Sequence, residues 1–245
     1  MTDLSIIVLI CDNDFQHLEK SLSCIKKYIK VNYQVVVVDN REKNNNQLPE
    51  GNYEIVKPSE NTYCFEGRRI GLEKAIGKYI WYIDVDDEIC DYLLPEDISN
   101  NEIDFYQMYT KTEKGGLTPG SFHGCLLAFP DGVWSRLYRA DFLREIYTPI
   151  KRNLKIVQFE DLALKELIFQ KNPKVEYIDK VMYFYITERS VNFSEKPDIN
   201  KYKNSQIGEE DLEYLYTFIK DGDIKIKMLK NVRENLIKTI EGRLK

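Results

Sequence analysis

Three carboxylates within four residues end a short apolar segment of the chain. Residues 81–83 are Trp, Tyr and Ile, and the carboxylates of Asp84, Asp86 and Asp87 follow at once. Carboxylates this close repel one another unless a cation or hydrogen-bond donors neutralise them. A hard divalent cation such as Mg²⁺ or Mn²⁺ takes oxygen ligands, and proteins usually hold it with one or two carboxylates and the phosphates of a substrate. The cluster therefore predicts a cation site that serves a phosphate-bearing ligand.

Two other interpretations of the cluster need no metal-dependent substrate. An acidic turn that caps a strand and is solvated is the commoner meaning of an isolated Asp-x-Asp pair, because so short a pattern recurs by chance. Aspartyl-phosphate phosphatases also place Asp-x-Asp after an apolar strand, with Thr or Val two residues beyond the second Asp. Glu88 stands at that position in this chain.

Composition and charge narrow the class of protein. The 245 residues are enough for one sizeable α/β domain with a small appendage, and 43% hydrophobic and 31% charged residues are typical of a soluble globular protein. The net charge of -5 argues against nucleic acid as the main partner. The five cysteines show no Cys-x-x-Cys spacing, so a reducing cytosol is expected. Neither a signal peptide nor a membrane-spanning helix is predicted.

Strand and helix patterns alternate in the first half of the chain. The first elements are a buried strand over Leu4–Ile10, a helix capped by Asp14, and a second strand over Val35–Val38 that ends at Asp39. The next are a strand over Tyr53–Lys57, a helix over Phe65–Ile76 with Gly77 at its carboxyl cap, and a strand over Tyr79–Ile83. This alternation predicts a mostly parallel, doubly wound sheet, in which ligands bind beyond the carboxyl ends of the strands. Asp39 and Asp84 both lie at such ends.

The second half of the chain has a less regular pattern. Strands are predicted over Ile103–Thr110, Val133–Tyr138 and Val181–Thr187, with a helix over Glu160–Gln170. Gly115, Gly116, Pro119 and Gly120 indicate a loop, Ser190–Asn204 a polar linker, and the chain from Glu209 a helical ending.

Several short segments, taken in order along the chain, carry a likeness to a known family. They are Ser5–Val8, Val36–Asp39, Glu66–Gly71, Asp84–Asp87, Gly132–Tyr138, Glu160-Asp161, and Tyr183–Tyr185 with Arg189-Ser190. Together they resemble the family 2 inverting glycosyltransferases of the glycosyltransferase-A fold. The resemblance implies an α/β fold of that type, with helices on both faces of the sheet and a C-terminal helical extension. It implies a catalytic domain over residues 1–190, with a nucleotide-sugar-binding half (1–100) and an acceptor-binding half (101–190), followed by a linker and helical extension (191–245).

The resemblance also implies a role for each matching residue. The metal ligands for Mn²⁺ or Mg²⁺ are Asp86 and Asp84. The residues that bind the nucleotide-sugar are Asp39, Arg68, Asp84 and Arg189. The acceptor-binding residues are Trp134 and Glu160, and the general base is Asp161. Simpler meanings stand beside these: a surface ion pair for either arginine, core packing for Trp134, and a favourable helix dipole for the two acids.

The implied function is a metal-dependent inverting transfer of a sugar from a nucleoside-diphosphate sugar, with UDP-sugar the expected donor. The acceptor is a hydroxyl of a glycan or lipid-linked glycan, and bacterial surface polysaccharide synthesis on the cytosolic side is the expected setting. The chain departs from the family at Leu9–Asp12, at Asn40-Arg41 and at Arg69, which predicts an unusual donor preference. Because of these departures, the alternative function is a degenerate glycosyltransferase-like module that binds a nucleotide or glycan without catalysis. A sugar nucleotidyltransferase is less compatible, because Cys11–Asp14 is not the Gly-rich basic loop that such enzymes carry.

The C-terminal segment is predicted to be a basic amphipathic helix. Ile224–Lys245 contains seven Lys or Arg residues against two Glu. Its apolar positions are Leu229, Val232, Leu236, Ile240 and Leu244. Such a helix can lie on the anionic inner face of a cell membrane, or it can pack against its own domain or a second copy of the chain. A cytoplasmic protein with either arrangement is expected.

Overall fold

The structure, a computed structural model, describes residues 2–12, 14–43, 46–112, 117–119, 132–156, 159–186 and 209–231. Within these ranges the chain forms one mixed sheet with helices on both faces. The predicted Arg189, the Ser190–Asn204 linker, Gly115, Gly116 and Gly120, and the part of the C-terminal helix from residue 232 onward lie outside the described residues.

The first half of the chain forms the parallel part of the sheet. Its strands are β1 (Leu4–Ile10), β2 (Tyr33–Asp39), β3 (Glu54–Val56) and β4 (Tyr79–Asp84). They pair in the order β3-β2-β1-β4, all parallel, as the alternation of strands and helices predicted. In this register Leu9 of β1 pairs with Asp84, and Ile10 pairs with Asp39. The two carboxylates therefore flank the carboxyl end of β1.

The second half makes the sheet mixed rather than mostly parallel. Its strands are β5 (Glu88–Ile89), β6 (Phe105–Thr112), β7 (Leu117–Pro119), β8 (Arg136–Arg139) and β9 (Val175–Tyr185). Strand β8 lies between β4 and β6 and runs antiparallel to both, while β9 is parallel to β6 and antiparallel to β5. Because a buried strand has the same apolar pattern in either direction, the sequence could not reveal this reversal.

Helices cover the sheet on both faces because side chains alternate along each strand. The helices are α1 (Leu18–Tyr28), α2 (Tyr63–Lys74), α3 (Ala140–Tyr147), α4 (Glu160–Phe169), α5 (Glu209–Tyr216) and α6 (222–231). Ile7 contributes to the core beneath α2, α3, α4 and α5, whereas Ile6 and Val8 contribute to the core beneath α1. The predicted helices on both faces are confirmed.

Four local predictions about element boundaries were wrong. Asp14 does not cap a helix with its side chain, because its Oδ1 accepts the Cys11 N–H at 2.6 Å instead. Gly77 lies beyond the end of α2 and permits close approach to β1, since a Cβ there would lie 2.3 Å from the Ser5 nitrogen. Residues 133–135 form a 3₁₀ turn before β8, and Pro119 lies in β7 rather than in a loop.

Described residues of the C-terminal segment pack on their own domain. Leu229 is 2% exposed and belongs to the same core as α4 and α5. Lys225 pairs with Glu166 of α4, and Lys230 pairs with Glu209 at 3.0 Å and with Glu213 of α5. Part of the basic charge of this segment is therefore neutralised by ion pairs within the fold. No helix among the described ranges is long and apolar enough to cross a bilayer.

Helix α2 lies close to β1 and β2 because two of its residues have no side chain. A Cβ at Gly71 would lie 2.4 Å from Ile7 Cγ2, and one at Gly67 would lie 2.8 Å from Leu9 Cδ2. Gly71→Ala is expected to lower the free energy of unfolding, because overpacking costs about 1–3 kcal/mol and outweighs a gain in helix propensity of about 1 kcal/mol. Urea unfolding monitored by circular dichroism measures the change. Glu73→Ala, on the exposed side of α2, is the control, and an unchanged or raised midpoint for Gly71→Ala would contradict the close-packing argument.

Candidate active site

A buried arginine joins the end of β4 to the start of α4. The Arg68 guanidinium donates through Nη1 to Glu160 Oε1 at 3.2 Å, and its Nη2 lies 3.6 Å from Asp84 Oδ1. The side chains of Arg68 and Glu160 are 8% and 14% exposed. Because charges this deeply buried are costly unless paired, the three groups form one electrostatic unit. Their sequence positions span the two halves of the chain.

Contacts of α2 place Arg68 in this unit. Asn40, which follows β2, accepts hydrogen bonds at Oδ1 from the Thr62 N–H at 3.3 Å and the Thr62 hydroxyl at 2.9 Å. These bonds hold the residue before α2, where backbone N–H groups would otherwise lack partners. The Tyr82 hydroxyl of β4 donates to the Arg68 carbonyl at 3.4 Å. Asn40, one of the departures from the family pattern, therefore orients the helix that carries the arginine.

The acidic pair at the start of α4 follows a strained residue. Phe159 has φ 64°, a left-handed conformation that a non-glycine residue adopts at a cost of about 1–3 kcal/mol. Asp161 Oδ1 accepts the Leu162 N–H at 2.8 Å, which leaves Oδ2 for other contacts. Burial, with the adjacent Asp161, raises the pKa of Glu160 to about 7 although Arg68 opposes the change. The pair thus presents one carboxyl group tied to Arg68 and a second that begins the hydrogen bonding of α4.

These groups line a single cavity of about 140 Å³. Its lining residues are Arg68, Asp84, Gly132, Val133, Trp134, Glu160, Asp161 and Tyr185. The structure therefore brings together Arg68, Asp84, Trp134, Glu160 and Asp161, which the sequence had assigned to one site. A larger groove of about 450 Å³ between α2 and α3 contains Arg69 and Arg144. Arg69 pairs there with Glu66 and Glu73, so its charge is neutralised within α2.

The carboxylate turn after β4 carries an excess of negative charge. Burial, with Asp86 and Asp161 nearby, raises the pKa of Asp84, and Arg68 opposes the change. Asp14, in the loop after β1, has its pKa raised to about 6 by burial and by the charges of Asp86 and Asp84. The sequence missed Asp14 as a site residue because it was interpreted as a helix cap. The available signal was that Asp14 follows β1, which runs parallel to β4, so that the carboxyl ends of both strands lie at the same edge of the sheet.

This charge distribution fits a divalent cation. No group of three or more His, Cys, Asp and Glu side chains in the described part of the chain has the arrangement of a complete metal site. A diphosphate ligand would supply the remaining oxygens, so that two carboxylates suffice. Asp84 and Asp86 are the two that the turn presents. Two carboxylates alone do not complete the coordination of such a cation, so an ion held there would need further oxygen ligands.

Trp134 forms the middle of a stack of three aromatic rings. Its ring lies 4.8 Å from that of Tyr183 with an interplanar angle of 5°, and 5.3 Å from that of Tyr185 with an angle of 14°. Two stacked rings therefore cover much of Trp134, and the residue is 6% exposed. Core packing, the simpler meaning of Trp134, fits these contacts, and its predicted acceptor contact is left to the part of the side chain that lines the cavity. Tyr185, the outer ring, also lines the cavity.

Asp39 lies at the end of β2 with its carboxylate already engaged. Arg41 donates to Oδ1 from Nε at 2.8 Å and from its backbone N–H at 3.1 Å, and to Oδ2 from Nη2 at 3.0 Å. Lys57 Nζ lies 3.2 Å from Oδ2. Burial raises the pKa of Asp39, but the hydrogen bonds from Arg41 and Lys57 outweigh it and hold the pKa below its usual value. A nucleobase contact at Asp39 would have to displace one of these donors.

Comparisons with known proteins bear on the family and the fold of the chain. Residues 5–99 match the model of the family described as glycosyl transferase family 2, which confirms the resemblance over that part of the chain. The structure of S. aureus TarS 1–349 in complex with UDP-GlcNAc is 16% identical, with a TM-score of 0.63 over 89% of this chain and 66% of that one. The structure of GalNAc-T7 with UDP, GalNAc and Mn²⁺ is 14% identical, with a TM-score of 0.57 over 76% of this chain and 44% of that one.

The likeness at these identities shows the fold, and the predicted glycosyltransferase-A type of α/β fold is confirmed. A longer S. aureus TarS structure is 16% identical with a TM-score of 0.58, and the match covers 85% of this chain but only 40% of that one. The chain thus spans less than half the length of that structural relative. No curated protein matches the chain.

Proposed function

We propose that the chain is a metal-dependent inverting glycosyltransferase that moves a sugar from a nucleoside-diphosphate sugar to a hydroxyl of a glycan or lipid-linked glycan. The observation that carries this proposal is the cavity in which Arg68 links Asp84, beside the predicted phosphate site, to the acid pair that begins α4. A leaving-group side and an attacking side would thus share one cavity. The family match over residues 5–99 supports the donor half of this assignment.

The reaction that these residues fit is a single displacement. The acceptor hydroxyl oxygen attacks the anomeric carbon, and its proton passes to a carboxylate oxygen of Asp161. The bond between the anomeric carbon and the phosphate oxygen breaks, and its electron pair leaves with the nucleoside diphosphate. Because attack comes from the face opposite the leaving group, the configuration inverts. Glu160 and Tyr185, which both line the cavity, would hold the acceptor sugar.

On the leaving-group side, a metal ion and arginine side chains would lie beside the carboxylates of the turn. Asp84 and Asp86 would hold Mn²⁺ or Mg²⁺, which when bound offsets the charge that develops on the departing diphosphate. Arg68 would contribute a charge-assisted hydrogen bond to the same phosphates. Arg189 has the same proposed role, although it lies outside the described residues.

UDP-sugar is the donor that the comparisons favour, because TarS structures contain UDP-GlcNAc and UDP and the GalNAc-T7 structure contains UDP. Residues 1–100 would bind this donor and residues 101–190 the acceptor, with 191–245 as an extension. A bacterial surface polysaccharide built on the cytosolic side is the proposed setting.

A second candidate function is a nucleotide- or glycan-binding module without catalysis. One observation favours a site that has degenerated from the family pattern: the Asp39 carboxylate, which the resemblance assigns to the nucleobase, is engaged by Arg41 and Lys57. The two functions share a ligand and differ in turnover. Binding of a nucleotide-sugar without product formation would therefore select the module.

Nucleoside diphosphates are expected to stabilise the protein only when Mn²⁺ is present. A ligand that binds the native state at 100 times its dissociation constant adds about 2.7 kcal/mol, which is about 5–11 °C for a chain of this size. A thermal-shift panel of UDP, GDP, CDP and ADP, each with Mn²⁺ or with EDTA, measures the effect. A shift with UDP and Mn²⁺ that EDTA removes supports the proposal. No shift with any of the four nucleotides would contradict it.

A further inference from the structure

The last carboxylate of the turn points away from the cavity and into the sheet. Asp87 is 4% exposed, and its Oδ1 accepts the Ile186 N–H at 2.9 Å while its Oδ2 accepts the Tyr183 hydroxyl at 2.8 Å. Its backbone N–H donates to the Asp84 carbonyl at 3.1 Å, which closes the turn. Asp87 therefore fastens the turn to the end of β9, 96 and 99 residues away in sequence.

The Tyr183 hydroxyl makes a second connection to the same turn. It accepts the Asp84 N–H at 3.1 Å while donating to Asp87, so one oxygen contacts both ends of the turn. Tyr183 is fully buried. Its ring stacks on Trp134 at 4.8 Å and lies 6.4 Å from Trp81. Because the ring is held by the core, the position of its hydroxyl is fixed before any ligand binds.

We propose that Tyr183 and Asp87 are positioning residues that fix the turn against β9, so that Asp84 and Asp86 face the cation and diphosphate with little reorganisation. This inference rests on the proposed function and deepens it, since it explains why the turn carries a third carboxylate. Mutation of residues that hydrogen-bond to metal ligands and orient them typically lowers metal affinity by about 10–100-fold. The two residues would act through backbone placement and would not touch the metal.

Tyr183→Phe tests the inference because it removes the hydroxyl and keeps the stacked ring. The matched control is Tyr106→Phe, since the Tyr106 hydroxyl likewise accepts one N–H and donates to one oxygen, both of Asn100, at 2.9 Å. Tyr106 contacts Tyr79, at the opposite end of β4 from Asp84. Both variants are expected to lower the melting temperature by about 2–4 °C. Only Tyr183→Phe is expected to raise the half-saturating Mn²⁺ concentration, measured with UDP by tryptophan fluorescence, by about tenfold or more.

Asp87 variants separate positioning from direct metal ligation. Asp87→Asn keeps an acceptor for the Ile186 N–H and a polar contact to the Tyr183 hydroxyl, whereas Asp87→Ala keeps neither. The loss of Mn²⁺ affinity is expected to be larger for Asp87→Ala than for Asp87→Asn. Equal losses in both variants, or a Tyr183→Phe response equal to that of Tyr106→Phe, would overturn the inference.

Hydrogen exchange tests the inference even if the proposed function fails. A wild-type protein that binds no nucleotide with Mn²⁺ would refute the function alone. In that case amide exchange in residues 84–87 of the protein without ligand is still expected to be about tenfold faster or more in Tyr183→Phe, because local opening governs exchange. Tyr106→Phe is expected to leave exchange of those residues unchanged. Unchanged exchange in Tyr183→Phe would refute the positioning role.

Discussion

Replacement of Asp161 by Asn is expected to lower turnover by about 10²–10⁴-fold, the usual contribution of a general base. The amide has nearly the same shape but cannot accept the proton of the acceptor hydroxyl. Its oxygen can still accept the Leu162 N–H that Asp161 Oδ1 now accepts at 2.8 Å, so the start of α4 should be preserved. Affinity for the donor should therefore stay within about twofold, because a residue that acts only in the transition state changes turnover and leaves ground-state binding intact. Initial rates of nucleoside diphosphate release and calorimetric titration of the donor measure the two quantities.

Asp141 provides the matched control for this experiment. It occupies the second position of α3, as Asp161 does in α4, and its Oδ1 accepts the next residue's N–H at 2.7 Å. If acids at these positions only complement the helix dipole, Asp141→Asn and Asp161→Asn should behave alike, each costing about 0.3–1 kcal/mol of stability. A fully active Asp161→Asn enzyme would refute the assignment. If Glu160→Gln then abolished transfer, the base would be Glu160, whose pKa of about 7 suits proton transfer near neutral pH.

Much of the donor side could be predicted because it depends on local pattern. Continuous apolar runs identified β1, β2 and β4, and a parallel sheet places the carboxyl ends of its strands at one edge. Asp39 and Asp84 were therefore expected near each other, and the structure places them on either side of β1. The helical period and the two acids likewise indicated α4, which begins at Glu160 as predicted.

The remaining features depend on contacts between distant parts of the chain. The ion pair between Arg68 and Glu160 joins residues 92 apart in sequence. The covering of Trp134 by two tyrosines follows from the pairing of β6 with β9, which no local pattern specifies. Asp39 was predicted to contact a nucleobase. Its ion-pair partner in the structure is Arg41, a residue at which the chain departs from the family pattern. A single sequence identifies a carboxylate without showing which cation neutralises it.

Arg68 joins stability and function because one cation serves both sides of the cavity. Asp84 and Glu160 repel each other and the neighbouring carboxylates, and the guanidinium between them offsets that repulsion. A phosphate-bearing donor would bring further negative charge to the same cavity, and its cation would bring positive charge. Arg68 thus stabilises the acidic cavity, and in the proposed function the same guanidinium would also contact the diphosphate of the donor.

Arg68→Met is accordingly expected to lower the free energy of unfolding by about 3 kcal/mol at pH 8, because removal of one partner strands a buried charge. The loss lies at the lower end of the usual range, since the Asp84 side chain is 39% exposed and stays partly hydrated. Donor affinity is expected to fall by about tenfold or more with the loss of a charge-assisted hydrogen bond. Urea unfolding and donor titration measure the two effects. Arg139→Met, which removes two ion pairs nearer the surface, with Asp104 and Asp141, is the control and should cost about 1 kcal/mol or less.

The pH dependence of the loss of unfolding free energy in Arg68→Met tests the role of Arg68 more sharply than the size of that loss at one pH. The folded protein holds the Glu160 proton more tightly than the unfolded chain, because the pKa of Glu160 rises from 4.5 to about 7 on folding, and Arg68 limits that rise. Without Arg68 the folded pKa is higher still, so protonation of Glu160 removes the stranded charge at low pH. The destabilisation should therefore be small near pH 4.5 and grow as the pH rises through about 7. Glu160→Gln in the Arg68→Met background should recover part of the stability at pH 8, whereas a loss that is independent of pH would show that Arg68 stabilises the fold by packing alone.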